Sequence, residues 1–297
     1  MGKELAALYP VARHAFEEAD EALGMSISQL CFEGPEEQLR MTEITQPAIL
    51  TMSVAVQRVL QEKGIVPHFV AGHSLGEYSA HVAAGTLSFA EAVRTVRNRG
   101  KYMQEAVPAG QGGMAAVLGM AIDQLEQVCI EAAQGEVVSP ANINSPEQIV
   151  ISGHQTAVER AAQLAQQRGA KKTRLLQVSA PFHCALMQPA QERLASDLQQ
   201  LRFSDPNVPV VANIDGEPRT SGDTSRQALI QQVTGAVQWT RCMQKLISLG
   251  VQSYIEVGPG KVLCGLMRQI DRAQISANVE NEASLQKTLS SFETAAK

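Results

Sequence analysis

"FVAGHSLGEYSA", residues 69–80, decides how the rest of the chain is read. The run His68–Ala71 lies between Pro67 and Gly72 and suits a buried parallel strand. Leu75–Ala84 then has the character of a helix, stopped at Gly85. Between them stands Gly72-x-Ser74-x-Gly76, which fits a nucleophile elbow. Such an elbow turns a strand into a helix so sharply that the serine is strained and its hydroxyl exposed. The flanking residues are expected to be small, because neighbouring backbone packs against them. The Leu75 N–H falls at the helix N-terminus and can donate to a developing oxyanion. A G-x-S-x-G match alone is weak, and its place between strand and helix gives it weight.

Outward from the elbow, the pattern is α/β. Residues 1–60 are helical in character, with breaks at Gly24 and at Glu33-Gly34-Pro35. Ile49, Met52, Val56, Val59 and Leu60 recur at helical spacing within Gln46–Lys63. A helix over Ser88–Val107 opens with a capping box, Ser88 and Glu91. Residues 113–179 form a distinct block with strands at Met114–Leu118, Val137–Ile143, Gln148–Ser152 and Thr173–Ser179, and helices at Ile122–Ala133 and Thr156–Arg168. That β-α-β-β-α-β order is the ferredoxin-like split unit. Beyond it, helices are expected at Met187–Leu201, Gln227–Val233, Thr240–Leu249 and after Gly258-Pro259-Gly260, with strands at Pro209–Asn213 and Ser253–Val257. The expected fold is therefore a large α/β-hydrolase-like domain, residues 1–112 and 180–297, carrying an inserted ferredoxin-like small domain, residues 113–179.

Composition narrows the function. The chain has 297 residues and a net charge of -5, and such an acidic balance disfavours a nucleic-acid surface. No apolar run approaches the ~18 residues of a membrane span, and "MGKELAALYP" lacks the apolar core of a signal peptide. The five cysteines are scattered without a C-x-x-C pair, so neither zinc nor a disulfide framework is signalled. Buried thiols in a reducing cytoplasm are expected.

A nucleophilic serine needs a base. Of six histidines, His14 belongs to a solvated helix, His68 to the strand, His81 to the following helix and His154 to a turn. His73 lies inside the elbow, pointing away from the serine. His183 in "VSAPFHCALM" follows an apolar strand, where α/β scaffolds place their bases. Position alone leaves it either a base or a structural histidine. Arg99 stands close to Arg94 and Arg97. It belongs either to a solvated basic face or to a fork that pairs with a substrate carboxylate. Spacing does not separate these.

Six blocks, "AGHSLGEYSA", "RGKYMQEAVPAG", "SPANINSPEQIVISGH", "SAPFHCALM", "AVQWT" and "EVGPGKVLCGLM", together resemble the malonyl-CoA:acyl carrier protein transacylases. These are acyltransferases of fatty acid and polyketide synthesis, and the resemblance runs from residue 1 to about residue 280. It implies that Ser74 carries a malonyl ester and that His183 is its base. It implies that Gln232 orients that histidine through its backbone carbonyl, and that the Leu75 N–H is one oxyanion donor. Arg99 would hold the malonyl carboxylate. Phe182 would crowd an α-methyl branch, and Asn142 and Asn144 would lie near the cleft between the subdomains. Malonyl-CoA is the implied donor and the phosphopantetheine thiol of an acyl carrier protein the implied acceptor. No metal or resident cofactor is expected, nor any nucleic-acid or membrane partner. A cytoplasmic monomer is expected.

Relatives open with a strand and a "PGQGSQ" loop before "GMGKEL", whereas this sequence starts at "MGKEL". The family's N-terminal strand and loop are therefore expected to be absent here, a start assigned too far downstream being the favoured explanation. The second oxyanion donor goes with the loop, at a typical cost of ~100–1,000-fold in turnover. A sheet edge in the large domain is expected to stand unpaired. Two rival functions use or discard the same residues. A proofreading acyl hydrolase would keep Ser74 and His183 but has no need of Arg99. A non-catalytic docking subunit would need neither. For carrier docking, Lys171-Lys172-Thr173-Arg174 is the candidate basic patch.

Overall fold

The computed structural model describes residues 1–295, and its opening is helical. Lys3–Leu8, Pro10–Leu23, Ile27–Glu33, Glu36–Leu39 and Thr42–Glu62 follow one another. Gly24 ends the second of these in the left-handed conformation. Thr42–Glu62 starts before the expected Gln46 and carries Pro47 in its second turn, where the missing N–H removes one intrahelical bond. This helix and Phe89–Glu105 carry much of the large core, with Leu50, Met52, Val56, Val93 and Met103 shielded from solvent. Ser88 caps the second of them by accepting from Glu91 N at 3.3 Å, as the capping box requires.

The parallel pairing of the large unit is sparse. Val70–Ala71 pairs with Val210–Val211, which pairs antiparallel with Pro218–Arg219. The elbow strand is thus two residues long where four were expected, and it stands at a sheet edge. Val210–Val211 is equally short against the expected Pro209–Asn213, and a two-residue ladder limits both. A second sheet joins Ser253–Val257 to Ile275–Val279 in parallel. The sequence reading missed Ile275–Val279 and the helix Glu282–Ala295 after it. "ISANV" holds small and polar residues with weak strand preference, so tertiary pairing makes it a strand. The helix expected at Gln227–Val233 begins earlier, at Gly222, where Ser221 accepts from Thr224 N.

The β-α-β-β-α-β block forms as expected. Its strands are Gly112–Leu118, Val138–Ser145, Gln148–His154 and Lys172–Leu175. Across the sheet the order is second, third, first, fourth, with every neighbouring pair antiparallel. Helices Ile122–Ala133 and Gln155–Gln167 cover it, burying Leu125, Val128, Ile149, Ile151 and Val158 in a core separate from the large one. The last strand ends at Leu175 rather than Ser179, and residues 176–179 run on as irregular chain along the cleft.

The small unit is stitched to the large one through Val138–Ser145. Val237 N donates to Ala141 O at 2.8 Å, and Ile143 N donates to Val237 O at 2.9 Å. Thr240 Oγ1 donates to Ile143 O, and Ser145 Oγ donates to Gln269 Oε1.

The two elbow glycines differ in what they need. A Cβ on Gly72 would sit 1.9 Å from Gly76 O, whereas a Cβ on Gly76 would meet open space. The expectation that both flanking positions must be small holds only for Gly72, because only there does backbone fill the side-chain volume. Gly72→Ala is expected to destabilise by about 3 kcal/mol or more, at the upper end of overpacking. Gly76→Ala, inside the helix, should be neutral or stabilising by about 0.5–1 kcal/mol. Thermal unfolding followed by circular dichroism reads both, and equal losses would contradict this asymmetry.

Candidate active site

Ser74 has φ 52° and ψ -106°, a conformation few non-glycine residues adopt. Such strain costs about 1–3 kcal/mol and persists only where neighbours impose it. Here Asn213, at the end of the adjacent strand, imposes it. Its Oδ1 accepts from Ser74 N and its Nδ2 donates to Gly72 O, both at 2.7 Å. Asn213 was not singled out from sequence. The available signal was an asparagine at a strand end, immediately before the turn "IDG".

Ser74 Oγ lies 2.7 Å from His183 Nε2. His183 Nδ1 lies 2.8 Å from Gln232 O, and a carbonyl can only accept, so Nδ1 carries the hydrogen. Nε2 is then the acceptor facing the Ser74 hydroxyl. His183 itself has φ 60°, a second non-glycine residue held in the left-handed region beside the first. Burial pushes its pKa down to about 3, and the positive Arg99 pushes the same way. The imidazole is therefore neutral at neutral pH, with the Nε2 lone pair facing the Ser74 hydroxyl.

Arg99 settles the ambiguity of its cluster. Arg94 and Arg97 turn back to Ala22 O and Leu23 O at the C-terminus of Pro10–Leu23, where cations are favoured. Arg99 points the other way and is 2% exposed. Nη1 donates to Gln46 Oε1 at 2.7 Å, and Nη2 donates to Gln232 Oε1 and Ser74 Oγ, both at 3.0 Å. None of these acceptors is a carboxylate. Burial lowers its pKa, while the nearby Tyr78 and Glu77 push it up. Gln46 escaped sequence analysis because it looks like one more polar residue at the start of an amphipathic helix.

The Gln232 side chain does as much as its carbonyl. Nε2 donates to Ser74 O and to Glu77 Oε2, each at 2.8 Å, while Oε1 faces Arg99. Glu77 is fully buried, and desolvation pushes it up to about 7. His73 Nε2 lies 2.8 Å from Asn144 Oδ1 and bridges the elbow to the small unit.

A cleft of about 460 Å³ is lined by Ser74, Leu75, Arg99, Asn142, Phe182 and His183 among others. Gln232 and Asn144 stand behind it, the first holding His183 and the second holding His73. Leu75 N–H, first in its helix, has no intrahelical acceptor. A depression of about 620 Å³ under Arg268, Arg272 and Ile275 contains none of these groups. All five cysteines are free and buried, and burial raises the pKa of each. Among the described residues no helix is long and apolar enough to cross a membrane.

Known proteins resemble the chain in sequence and fold. The model of the acyl transferase domain matches residues 1–290. The malonyl CoA-acyl carrier protein transacylase of Escherichia coli strain K12 is 50% identical over 282 residues, covering 95% of this chain and 91% of its own. The crystal structure of the transacylase of that name from Clostridium perfringens superposes with a TM-score of 0.97 at 40% identity, covering 100% of this chain and 93% of the other. A malonyl-transacylase solved in complex with a type II PKS acyl-carrier protein superposes at 0.95 with 45% identity, covering 98% and 94%.

His81, on the elbow helix, gives the fold a pH signature. It is fully buried, neither ring nitrogen has a partner, and burial lowers its pKa from 6.5 to about 3. The unfolded chain takes up a proton below pH 6.5 that the folded chain refuses, so stability is lost as pH falls from 6.5 towards 3. His183 has the same sign. Glu77 opposes both between 4.5 and 7, where the folded state holds the extra proton. His81→Leu should make the loss shallower by up to about 1.4 kcal/mol per pH unit. Urea midpoints of both proteins from pH 4 to 7 test this, and parallel curves would contradict it.

Proposed function

The chain belongs to the acyl transferase domain family, and from that membership we propose that it moves a malonyl group from malonyl-CoA to an acyl carrier protein through an ester on Ser74. The observation that carries this reading is Arg99, a buried guanidinium whose bonds all go to uncharged acceptors beside the serine hydroxyl. A buried cation without a carboxylate calls for an anionic partner. The distal carboxylate of a malonyl group meets that need, because Arg99 Nη2 lies 3.0 Å from the Ser74 hydroxyl and the carboxylate is one methylene from the thioester carbon.

In this reading His183 Nε2 takes the Ser74 proton as Oγ attacks the thioester carbonyl. Leu75 N–H stabilises the oxyanion at the helix N-terminus. Collapse breaks the carbon–sulfur bond, and His183 returns its proton to the departing CoA sulfur. The phosphopantetheine thiol of the carrier then gives its proton to His183 and attacks the malonyl-serine carbonyl. Collapse of that intermediate breaks the ester and reprotonates Ser74. Gln232 O keeps His183 in the tautomer needed for both halves. Once a malonyl carboxylate pairs with Arg99, the positive charge that depresses His183 is offset, so substrate raises the basicity of the base.

Phe182 walls the cleft where an α-methyl branch would project, and Asn142 lines the side contributed by the small unit. Asn144 acts through His73. The division into a large unit, residues 1–112 with the chain from 180 on, and a small unit, 113–179, belongs to the same reading. Two separate apolar cores support it. A monomeric state, a cytoplasmic setting and the lack of a resident cofactor belong to the same proposal. A hydrolase would leave Arg99 without a task.

Ser74→Ala should abolish the acyl-enzyme seen by mass spectrometry after mixing with malonyl-CoA. Arg99→Ala should lower malonyl loading by roughly 10–150-fold, the worth of a hydrogen bond to a charged group of about 1.5–3 kcal/mol, without lowering acetyl loading. Malonyl-serine that passes to water as fast with the carrier as without it would overturn the transferase reading.

For carrier docking the basic segment narrows. Lys171 is engaged with Glu147 at 2.9 Å, while Lys172 and Arg174 are exposed on the edge strand that leads into the cleft lining at Leu176–Ser179. Reversing both charges should raise the carrier KM several-fold and leave malonyl-CoA loading unchanged. An unchanged carrier KM removes this segment from the docking surface.

A further inference from the structure

We propose that Glu77 is a positioning residue that sets acyl selectivity by fixing the Gln232 amide. The proposal rests on the acyl-serine reading above. It concerns a group to which the reaction itself assigns no task.

Glu77 lies three residues after Ser74 on the elbow helix and is wholly buried. Both donors that reach it, Asn213 N at 3.1 Å and Gln232 Nε2 at 2.8 Å, converge on Oε2, and Oε1 has no partner. A buried carboxylate so incompletely paired is costly, so its retention needs a reason beyond packing. Asn213 and Gln232 are the two side chains that touch the Ser74 backbone, on N and O respectively. Glu77 therefore holds both clamps of the nucleophile.

The Gln232 amide has two orientations, and only one satisfies its surroundings. Arg99 offers only donors, so it needs Oε1. Ser74 O and the Glu77 carboxylate offer only acceptors, so they need Nε2. In the flipped orientation Nε2 would face the guanidinium and Oε1 the carboxylate, donor against donor and acceptor against acceptor. Glu77 removes that alternative. When Glu77 is ionised the bond also polarises the amide, because a carboxylate on Nε2 makes Oε1 more negative towards Arg99. Glu77 is the one carboxylate whose charge bears on Arg99, and it acts through this neutral relay without a direct ion pair. Arg99 is thereby held in place with its charge left for the substrate.

The test is the ratio of malonyl to acetyl loading of Ser74, measured as single-turnover rates by mass spectrometry with folded fraction read by circular dichroism. Glu77→Leu frees the amide to flip, so the ratio should fall at least about tenfold, a loss of about 1.4 kcal/mol of discrimination. Glu77→Asp withdraws the acceptor by one methylene and should move the ratio the same way, which keeps the test open if the leucine variant does not fold. Glu77→Gln restores an acceptor for Gln232 and should keep the ratio within about twofold of the parent. If Gln232→Leu is combined with Glu77→Asp, the ratio should fall no further than in Gln232→Leu alone, since both act through one amide. Equal losses for malonyl and acetyl in the leucine and aspartate variants would overturn the proposal, as would a glutamine variant no better than leucine. Failure of the parent protein to form any acyl-serine would instead strike the acyl-transfer reading.

Discussion

Asn213 holds Ser74 in a backbone conformation the serine would not adopt alone, and the rest of the site hangs from that constraint. The side chain replaces the hydrogen bonds a sheet would have supplied, joining Gly72 O to Ser74 N across the turn. With the turn closed, Gly72 meets Gly76 O so tightly that no side chain fits. The hydroxyl is then aimed at His183, and the next N–H is freed for an oxyanion. His183 occupies the left-handed region as well, so two residues with unfavourable backbones meet through side chains 2.7 Å apart. A carbonyl, a buried asparagine and a glycine supply the stabilisation that keeps both in place.

The second organising choice is to surround a buried charge with amides. Arg99 is held by Gln46 and Gln232, whose oxygens accept from the guanidinium without neutralising it, while its buried Nε has no partner. A carboxylate at either position would tie up the cation and repel a malonyl carboxylate. The third partner of the base is likewise a neutral carbonyl, so no acid lies in direct contact with the imidazole. The acid nearest this network, Glu77, is set one amide away.

Much of this was legible in the sequence because it depends on local pattern. The elbow, the capping box at Ser88 and the split β-α-β-β-α-β unit are written in periodicity and in glycine placement. Ser74, His183, Arg99 and Gln232, which the family resemblance singled out, lie in contact with one another. What stayed hidden depends on contacts distant in sequence. Asn213 lies 139 residues from the serine it clamps, and its place before a turn does not point to that serine. Glu77, in the first helical turn, carries no mark of burial in the local pattern, and it is buried because the chain after the adjoining strand and the helix Gly222–Gln232 close over it. Ile275–Val279 was missed for a similar reason, since its strand character comes from pairing with Ser253–Val257 and not from its own residues.

The stitching of Val138–Ser145 to the large unit bears on modularity. The four-stranded unit has its own core and its own topology, and on those grounds it resembles a cassette that a relative's counterpart could replace. Its second strand forbids a simple exchange. Ala141 and Ile143 pair with Val237, Asn144 holds the elbow through His73, and Ser145 reaches Gln269. These residues are built into the small unit but support the nucleophile of the large one. The seam of inheritance between the two parts therefore does not follow the boundary of the folded layers. It runs through the middle of one strand, and a chimera that respects the visible domain edges would still cut across the machinery.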